Sequence, residues 1–421
     1  MRIGIFEDAG VDLLEPMTLT RPAFALRFGA STLLERQRRC FDADEVGAWV
    51  RPALVELTRV EFPKLAINQN HWQAEIWTNA RWLPASPQRL DATTPHVGMV
   101  GQEVAYVAAP PVTPAQHSGD IGSWLALCKQ RLPQAPGEGI LIDYLWDAID
   151  HNGAGLGRDW AWFQAMHGPC FPPYCAVVGP TAQLVVAADA QIEPHVTADT
   201  RKGPILIDRG AVIQSFSRLE GPCYVGPESW ILGARLRGGS SIGPRCRIGG
   251  EVEASIVLGN SNKYHDGFLG HSYLGEWVNL AAATQTSDLR NDYGPVHVVI
   301  GGQRVATGRT KIGSYIGDHA KTGLGALLNT GSVVGAFCSV LPSGTLLPTV
   351  VPSFCQVHYG ALQECADLRQ LFDTAATMMQ RRVQELTETH RDFYYRLFDQ
   401  TADYRRNTLR AAEIRRLRRS I

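Results

Sequence analysis

The sequence predicts an α/β domain, then a parallel β-helix, then a helical C-terminal region. Three observations carry that reading. Aliphatic positions recur every six residues: Ile207, Ile213, Leu219, Val225 and Ile231; then Leu236, Ile242, Ile248 and Ala254; then Ile316, Thr322, Leu328, Val334, Val340 and Leu346. Such a period marks a parallel β-helix in which three hexapeptides close one coil, each burying its aliphatic residue against the next coil. Strand-like and helix-like segments alternate ahead of it. From residue 361 onward, apolar residues (Leu368, Phe372, Met379, Val383, Leu386, Phe393, Leu397, Tyr404) fall at helical steps with no Pro or Gly among them. The expected domains are 1–138 (α/β), 139–175 (helical linker), 176–355 (β-helix) and 356–421 (C-terminal helices).

In the α/β part, residues 3–6 read as a first strand and Ser31 as the cap of a helix over TLLERQRRCF. Residues 53–60 and 97–108 read as strands, and 121–132 as a helix. Arg21 and Arg27 flank an apolar turn ahead of that first helix. They suit either a phosphate near its N-terminus or ion pairs with Glu7, Asp8 or Glu35. Neither a G-x-G-x-x-G nor a P-loop lysine is written here. Residues 140–152 and 159–167 read as two linker helices, with Trp146 and Trp160 as packing residues. An interruption of the hexapeptide period at 287–310 reads as a projecting hairpin with a Gly-Gly turn.

Composition narrows the partners. A net charge of −1, with 45% hydrophobic and 19% charged residues, exerts no general pull toward nucleic acid or anionic membranes. No apolar run is long enough to span a bilayer. The nine cysteines are an odd, scattered set. Cys170 and Cys175 in CFPPYC lack a second pair at metal-binding distance, so reduced thiols, no metal site and a cytoplasmic location are expected. The basic IRRLRRS end reads as a helix C-terminus whose arginines complement the macrodipole.

Chemistry concentrates between Leu258 and Gly294, where Phe268, Leu274, Leu280 and Thr286 keep the six-residue step. Stacked coils bring residues of equal phase together, so Lys263, His265, Asn279 and Asn291 are candidates to converge. Transfer of an acyl group from a thioester to an amine needs a base near neutrality, and histidine supplies one. Glycines let backbone N–H groups approach the thioester oxygen. His265 and His271 are six residues apart, which places them on adjacent parts of the coil.

The stretch NSNKYHDGFLGHSYLGEWVNLAAAT, with the following NDYG, resembles the acetyltransferase domain of the bifunctional glucosamine-1-phosphate N-acetyltransferase/N-acetylglucosamine-1-phosphate uridyltransferases, in particular a divergent bacterial branch. The resemblance covers residues 225–352. It implies a left-handed β-helix that moves an acetyl group from acetyl-CoA to a glucosamine-1-phosphate-like amino-sugar phosphate, in nucleotide-sugar and cell-envelope precursor synthesis. It also implies a homotrimer with acyl-CoA between neighbouring β-helices. By this resemblance His265 is the base, Asn279 binds the sugar, the Ala282 backbone meets the thioester, and Asn291 and Tyr293 lie near the cofactor. ARLRGG places a sugar-phosphate arginine at Arg237. Phe268 stands where the family has a tyrosine, and Glu253 where it has a phosphate-binding lysine, leaving Lys263 as the cation nearby.

At the N-terminus, LEPMTLTRPAFALRFGASTLLE resembles that branch's degenerate sugar-nucleotidyltransferase domain, with Arg21 and Arg27 as its phosphate candidates. FEDAGVD replaces the glycine-rich signature, and Mg2+ is implied only if this domain is active. Two rival functions follow from the same sequence. One is a sugar-1-phosphate nucleotidyltransferase whose β-helix serves oligomerisation. The other is a non-catalytic binding or scaffold protein.

Overall fold

The computed structural model describes residues 1–85, 91–117, 119–168, 172–342, 344 and 346–419, with the backbone alone for 415–419. Cys170 of the CFPPYC pair and the arginine side chains of IRRLRRS therefore lie outside the described residues. The described cysteines are free thiols.

The N-terminal part is built on a seven-stranded sheet. Strands Ile76–Asn79, Arg2–Phe6, Glu45–Trp49 and Ala66–Ile67 run parallel side by side. Glu103–Ala108 lies antiparallel between Ile76–Asn79 and His96–Val100, and Gln134–Pro136 closes that edge. Two local expectations are corrected. Residues 53–60 are not a strand: Pro52–Leu54 is a 3-10 turn that continues as helix Val55–Glu61. Its β-branched Val55, Thr58 and Val60 mimic a strand, but Pro52 starts a helical turn and the Thr58 hydroxyl donates back to the Leu54 carbonyl at 2.7 Å. The first helix, Leu33–Cys40, is capped by Thr32 rather than Ser31. Thr32 Oγ1 accepts from the Glu35 N–H, and the Glu35 carboxylate accepts from the Thr32 N–H, a reciprocal capping box. The Ser31 hydroxyl instead accepts from Arg39.

One helix, Leu145–His167, replaces the two expected in the linker. Its fully buried Asn152 accepts from the Gly29 N–H at 2.7 Å and donates to the Gly239 carbonyl at 2.8 Å, joining the α/β domain to the β-helix. An uninterrupted helix holds that amide between two partners better than a broken one would.

The β-helix is a triangular prism of stacked coils. Its first face is a nine-stranded parallel ladder running from Leu184–Val186 to Val350–Val351. Ile207, Val225, Ile242, Val257, Leu274, Ile316 and Val334 point inward along it. Ile213, Ile231 and Ile248 line the second face, and Leu219, Leu236, Val252 and Leu269 the third. The expected phase fails at three places. Leu269, not Phe268, is the inward residue of its strand, and Val252 rather than Ala254 is inward one coil earlier. Leu346 is exposed. Counting back six from Leu269 puts Lys263 at an interior position, paired with Ile248.

The outer side of the first face is covered by the chain's own N-terminal part. Tyr273 packs against the Arg27 backbone and Tyr315 against Trp146. The insertion does form a hairpin, His297–Ile300 with Gln303–Ala306, but it does not project. Val296, Val298 and Ile300 are buried in the core shared with the α/β domain, and Arg309 pairs with Asp147 and Asp150 of the linker helix at 2.9 and 2.8 Å.

After the last coil, Cys355–His358 and Ala361–Glu364 form a hairpin, followed by helices Leu368–Gln380, Glu388–Gln400 and Ala402–Arg419. Trp277, His319, Phe337 and Phe354 stack along one edge of the prism and carry these helices, with Tyr394 edge-on to His319 and Phe337. Val383 does not join that apolar face; it sits in the turn between two helices, 97% exposed.

Candidate active site on the β-helix

Asn262–Lys263 ends the second face, and Phe268–Gly270 begins the third. The corner between them carries His265. Coils pass in direct contact here, so two positions must be glycine: a Cβ on Gly249 would lie 2.0 Å from the Tyr264 carbonyl oxygen, and one on Gly267 would lie 2.2 Å from that of Thr284. Lys263 is 2% exposed. Its Nζ donates to the Gly249 carbonyl at 2.7 Å and to the His265 carbonyl at 3.2 Å. Burial pushes its pKa down to about 8. Lys263 is thus an internal tether for the corner, which corrects the expectation that it offers a cation to phosphate: the ammonium points into the prism. His265 itself is exposed, its ring 5.0 Å from that of Tyr264.

One coil further, Asn279 bridges to Asn262 on one side and Lys321 on the other. The Ala283 N–H donates to the Asp266 carbonyl at 2.8 Å, and with the Asn262–Asn279 register this stacks Ala282 on the corner that carries His265. His265, Asn279 and Ala282 therefore share one rim. Asn291 and Tyr293 do not reach that rim within the chain; they lie in the exposed loop before the hairpin, with Tyr293 72% exposed.

Arg237 is on the third face, where Glu253 and Glu251 hold it at 2.9 and 3.4 Å. Lys311 approaches Glu253 from the other side at 3.7 Å. Two carboxylates already occupy the space in which this arginine was expected to meet a phosphate.

The residue missed by sequence reasoning is Asp288. Its Oδ2 lies 2.7 Å from His271 Nδ1, at the next corner of the prism. Burial alone would raise the Asp288 carboxyl, but the His271 hydrogen bond and the charges of His271 and Lys311 hold it below the usual range. The separation of 17 residues is one coil, and that offset was the signal that could have found the pair.

Arg21 and Arg27 do not make the expected ion pairs with Glu7, Asp8 or Glu35 among the described residues. Arg21 is buried and pairs across the domain boundary with Asp318, and with Glu276 at 3.2 Å. Asp318 also accepts from the Thr20 hydroxyl at 2.7 Å and from the Glu276 N–H at 2.8 Å. Arg27 exchanges two backbone hydrogen bonds with the Tyr273 hydroxyl, and its guanidinium lies 5.5 Å from the Tyr224 ring centre. Both arginines line a cavity of about 490 Å³ between the α/β domain, the β-helix and the C-terminal helices.

In open α/β sheets, ligands bind beyond the carboxyl ends of the parallel strands. Here that crevice holds the chain's own ion pairs. Arg81 bonds Asp8 and Asp143 at 2.7 Å, and Arg51 pairs with Glu7 at 3.2 Å. The Arg81 guanidinium also lies where a Cβ on Gly10 would stand, 2.3 Å from its carbon. Among the described residues, no group of three or more His, Cys, Asp or Glu is placed to hold a metal ion. No helix among them is long and apolar enough to cross a membrane.

Residues 3–167 match the family model for sugar nucleotidyl transferases. A bifunctional sugar-1-phosphate nucleotidylyltransferase/acetyltransferase of Sulfurisphaera tokodaii is 33% identical over 153 residues, 34% of this chain and 37% of that protein. The bifunctional protein GlmU of Methanocaldococcus jannaschii is 33% identical over 149 residues, 32% of this chain and 34% of its own. The chain thus spans about a third of the length of the curated relatives it matches. Among solved structures, the polySia specific acetyltransferase NeuO covers 50% of this chain and 94% of its own at 11% identity and a TM-score of 0.20, a likeness too slight to carry fold or function. The family resemblance read from the residues is shown by the sequence matches.

Proposed function

We propose that this chain, a relative of the bifunctional sugar-1-phosphate nucleotidyltransferase/acetyltransferases, moves an acetyl group from acetyl-CoA to the amine of an amino-sugar phosphate on a left-handed β-helix. The observation that supports this best is the shared rim: an exposed His265 on a corner tethered from inside by Lys263, with Ala282 above it and Asn279 in the same coil as Ala282. In this reading Asn279 orients the sugar. His265 takes the proton from the amine as its nitrogen attacks the thioester carbonyl. The C–S bond then breaks, and the imidazolium returns the proton to the departing thiolate. The backbone near Ala282 faces the thioester, and the loop with Asn291 and Tyr293 meets the cofactor held at the rim of a neighbouring subunit in the expected trimer. Free-thiol release from acetyl-CoA, with glucosamine 1-phosphate and related amino-sugar phosphates as acceptors, tests the activity. No thiol release with any of them would remove the proposal.

One observation favours a second choice of base. His271 is held by Asp288 at 2.7 Å, an arrangement that orients an imidazole.

For the α/β domain we expect no pyrophosphate release from UTP and a sugar 1-phosphate with Mg2+, because Arg81 and Arg51 and their carboxylates occupy the crevice. Robust turnover in a coupled pyrophosphate assay would instead promote the nucleotidyltransferase rival. For assembly we expect a homotrimer through the second and third faces, since the first is covered. Light scattering at micromolar concentration that returned the monomer mass would count against it.

A further inference from the structure

The outer row of the second face runs Trp230, Arg247, Asn262, Asn279, Lys321. The Arg247 guanidinium carbon lies over the Trp230 ring, 4.4 Å from its centre. Arg245 stands at the adjoining corner, and Arg382 reaches the same row from the turn after helix Leu368–Gln380. All three are half-buried.

Among the described residues their hydrogen-bond partners are neutral. Arg245 Nε donates to Asn260 Oδ1 at 3.0 Å, and Arg382 Nη2 to Asn262 Oδ1 at 3.0 Å. Arg247 Nη1 donates to the carbonyls of Glu228 and Cys246 at 2.9 and 3.0 Å. Arg382 Nε is buried with no partner among the described residues. Contrast Arg237 on the third face, which two carboxylates neutralise.

Burial and the charge of Arg382 both push Arg247 below its usual value, with Cys246 and Glu228 offsetting only part; burial, Arg381 and Arg245 do the same to Arg382 against Cys246. Half-buried cations gathered from two separate elements are costly unless an anion joins them. With Nη1 engaged by the Glu228 and Cys246 carbonyls, the Arg247 guanidinium over the indole has its other edge N–H groups to offer, a geometry that suits phosphate oxygens.

We propose that Arg245, Arg247 and Arg382 form a phosphate-binding site on the outer second face, beside Asn262 and Asn279. It gives the C-terminal helices a role, since they deliver Arg382. The phosphate belongs either to the sugar or to CoA; naming these two sources rests on the acyl-transfer reading, while the site itself does not.

The test is calorimetric titration of the full chain and of its Arg247→Gln and Arg382→Gln variants. Inorganic pyrophosphate is the probe independent of any reaction. Glucosamine 1-phosphate is compared with glucosamine, and CoA with pantetheine. Wild type should bind pyrophosphate, and each variant should bind it about tenfold to a hundredfold more weakly. A loss confined to glucosamine 1-phosphate assigns the site to the sugar, and one confined to CoA assigns it to the cofactor. Wild type failing to bind pyrophosphate, variants binding it unchanged, or equal losses for pantetheine and CoA would each overturn the site. If pyrophosphate binding behaves as expected but no amino-sugar phosphate releases thiol, the acyl-transfer reading fails and the site stands.

Discussion

Replacing His265 by alanine should lower kcat about a hundred- to ten-thousand-fold, the usual contribution of a general base. The substitution leaves the corner intact, because Lys263 Nζ holds the main-chain carbonyl of residue 265 and not its ring. The His265 side chain is exposed, so no core is lost. Acetyl-CoA affinity should stay near the wild-type value, since the imidazole acts on the amine. His271→Ala should cost much less in kcat if His265 is the base, although it strands the Asp288 carboxylate, which it currently meets at 2.7 Å. Parallel kcat measurements on the two folded variants decide the matter. Wild-type turnover in His265→Ala, or loss of activity in His271→Ala alone, transfers the role to the His271–Asp288 pair.

The second large effect is on stability. Asp318 is 3% exposed and gathers three donors: the Arg21 guanidinium, the Thr20 hydroxyl and the Glu276 N–H. Burial by itself would lower the Arg21 pKa; Asp318 and Glu276 raise it, so the charge persists at every ordinary pH. Asp318→Ala leaves that charge buried with Glu276 as its remaining partner. Breaking one side of a buried pair costs about 3–5 kcal/mol, and the surviving Glu276 contact puts the expectation near about 3. Chemical denaturation should show a lower midpoint, and limited proteolysis should release the α/β domain from the β-helix more readily. Asp318→Asn, whose single carbonyl oxygen can still accept from the Glu276 N–H while its NH2 faces the Thr20 hydroxyl oxygen, should lose less than Asp318→Ala. An Asp318→Ala protein as stable and as protease-resistant as wild type would mean that this contact does not hold the domains together.

The β-helix was legible because its interior admits one inward side chain per face per coil, which writes a six-residue period into Ile207, Ile213 and Leu219. The same geometry explains the slip at Phe268: Lys263 holds an interior place, and a polar residue in an aliphatic row hides the phase. His265 and Asn279 were legible as a pattern, and the rim adds that Ala282 stacks on the corner that carries the histidine. Contacts between coils were less visible. His271 with Asp288 and Arg237 with Glu253 require the offset of one coil rather than of six. Contacts between domains were out of reach, because Arg21 finds Asp318 only once a whole face of the prism has docked. Arg382 was hidden for the same reason, since its place beside Asn262 depends on how the C-terminal helices lie. In the α/β part, Val55, Thr58 and Val60 favoured a strand that Pro52 and the Thr58 back-bond overruled.

The Arg21–Asp318 contact also sets a timetable. Its two halves are 297 residues apart in the chain. At translation speeds of roughly 5–20 residues per second, Arg21 is synthesised about 15–60 s before its carboxylate is made. Tyr273, which holds the Arg27 backbone, comes 246 residues after its partner. During that interval the nascent α/β domain carries an apolar docking surface with nothing yet to cover it. Such a domain emerges first and finishes last, and its need for chaperones should fall away once the coil bearing Asp318 has been synthesised.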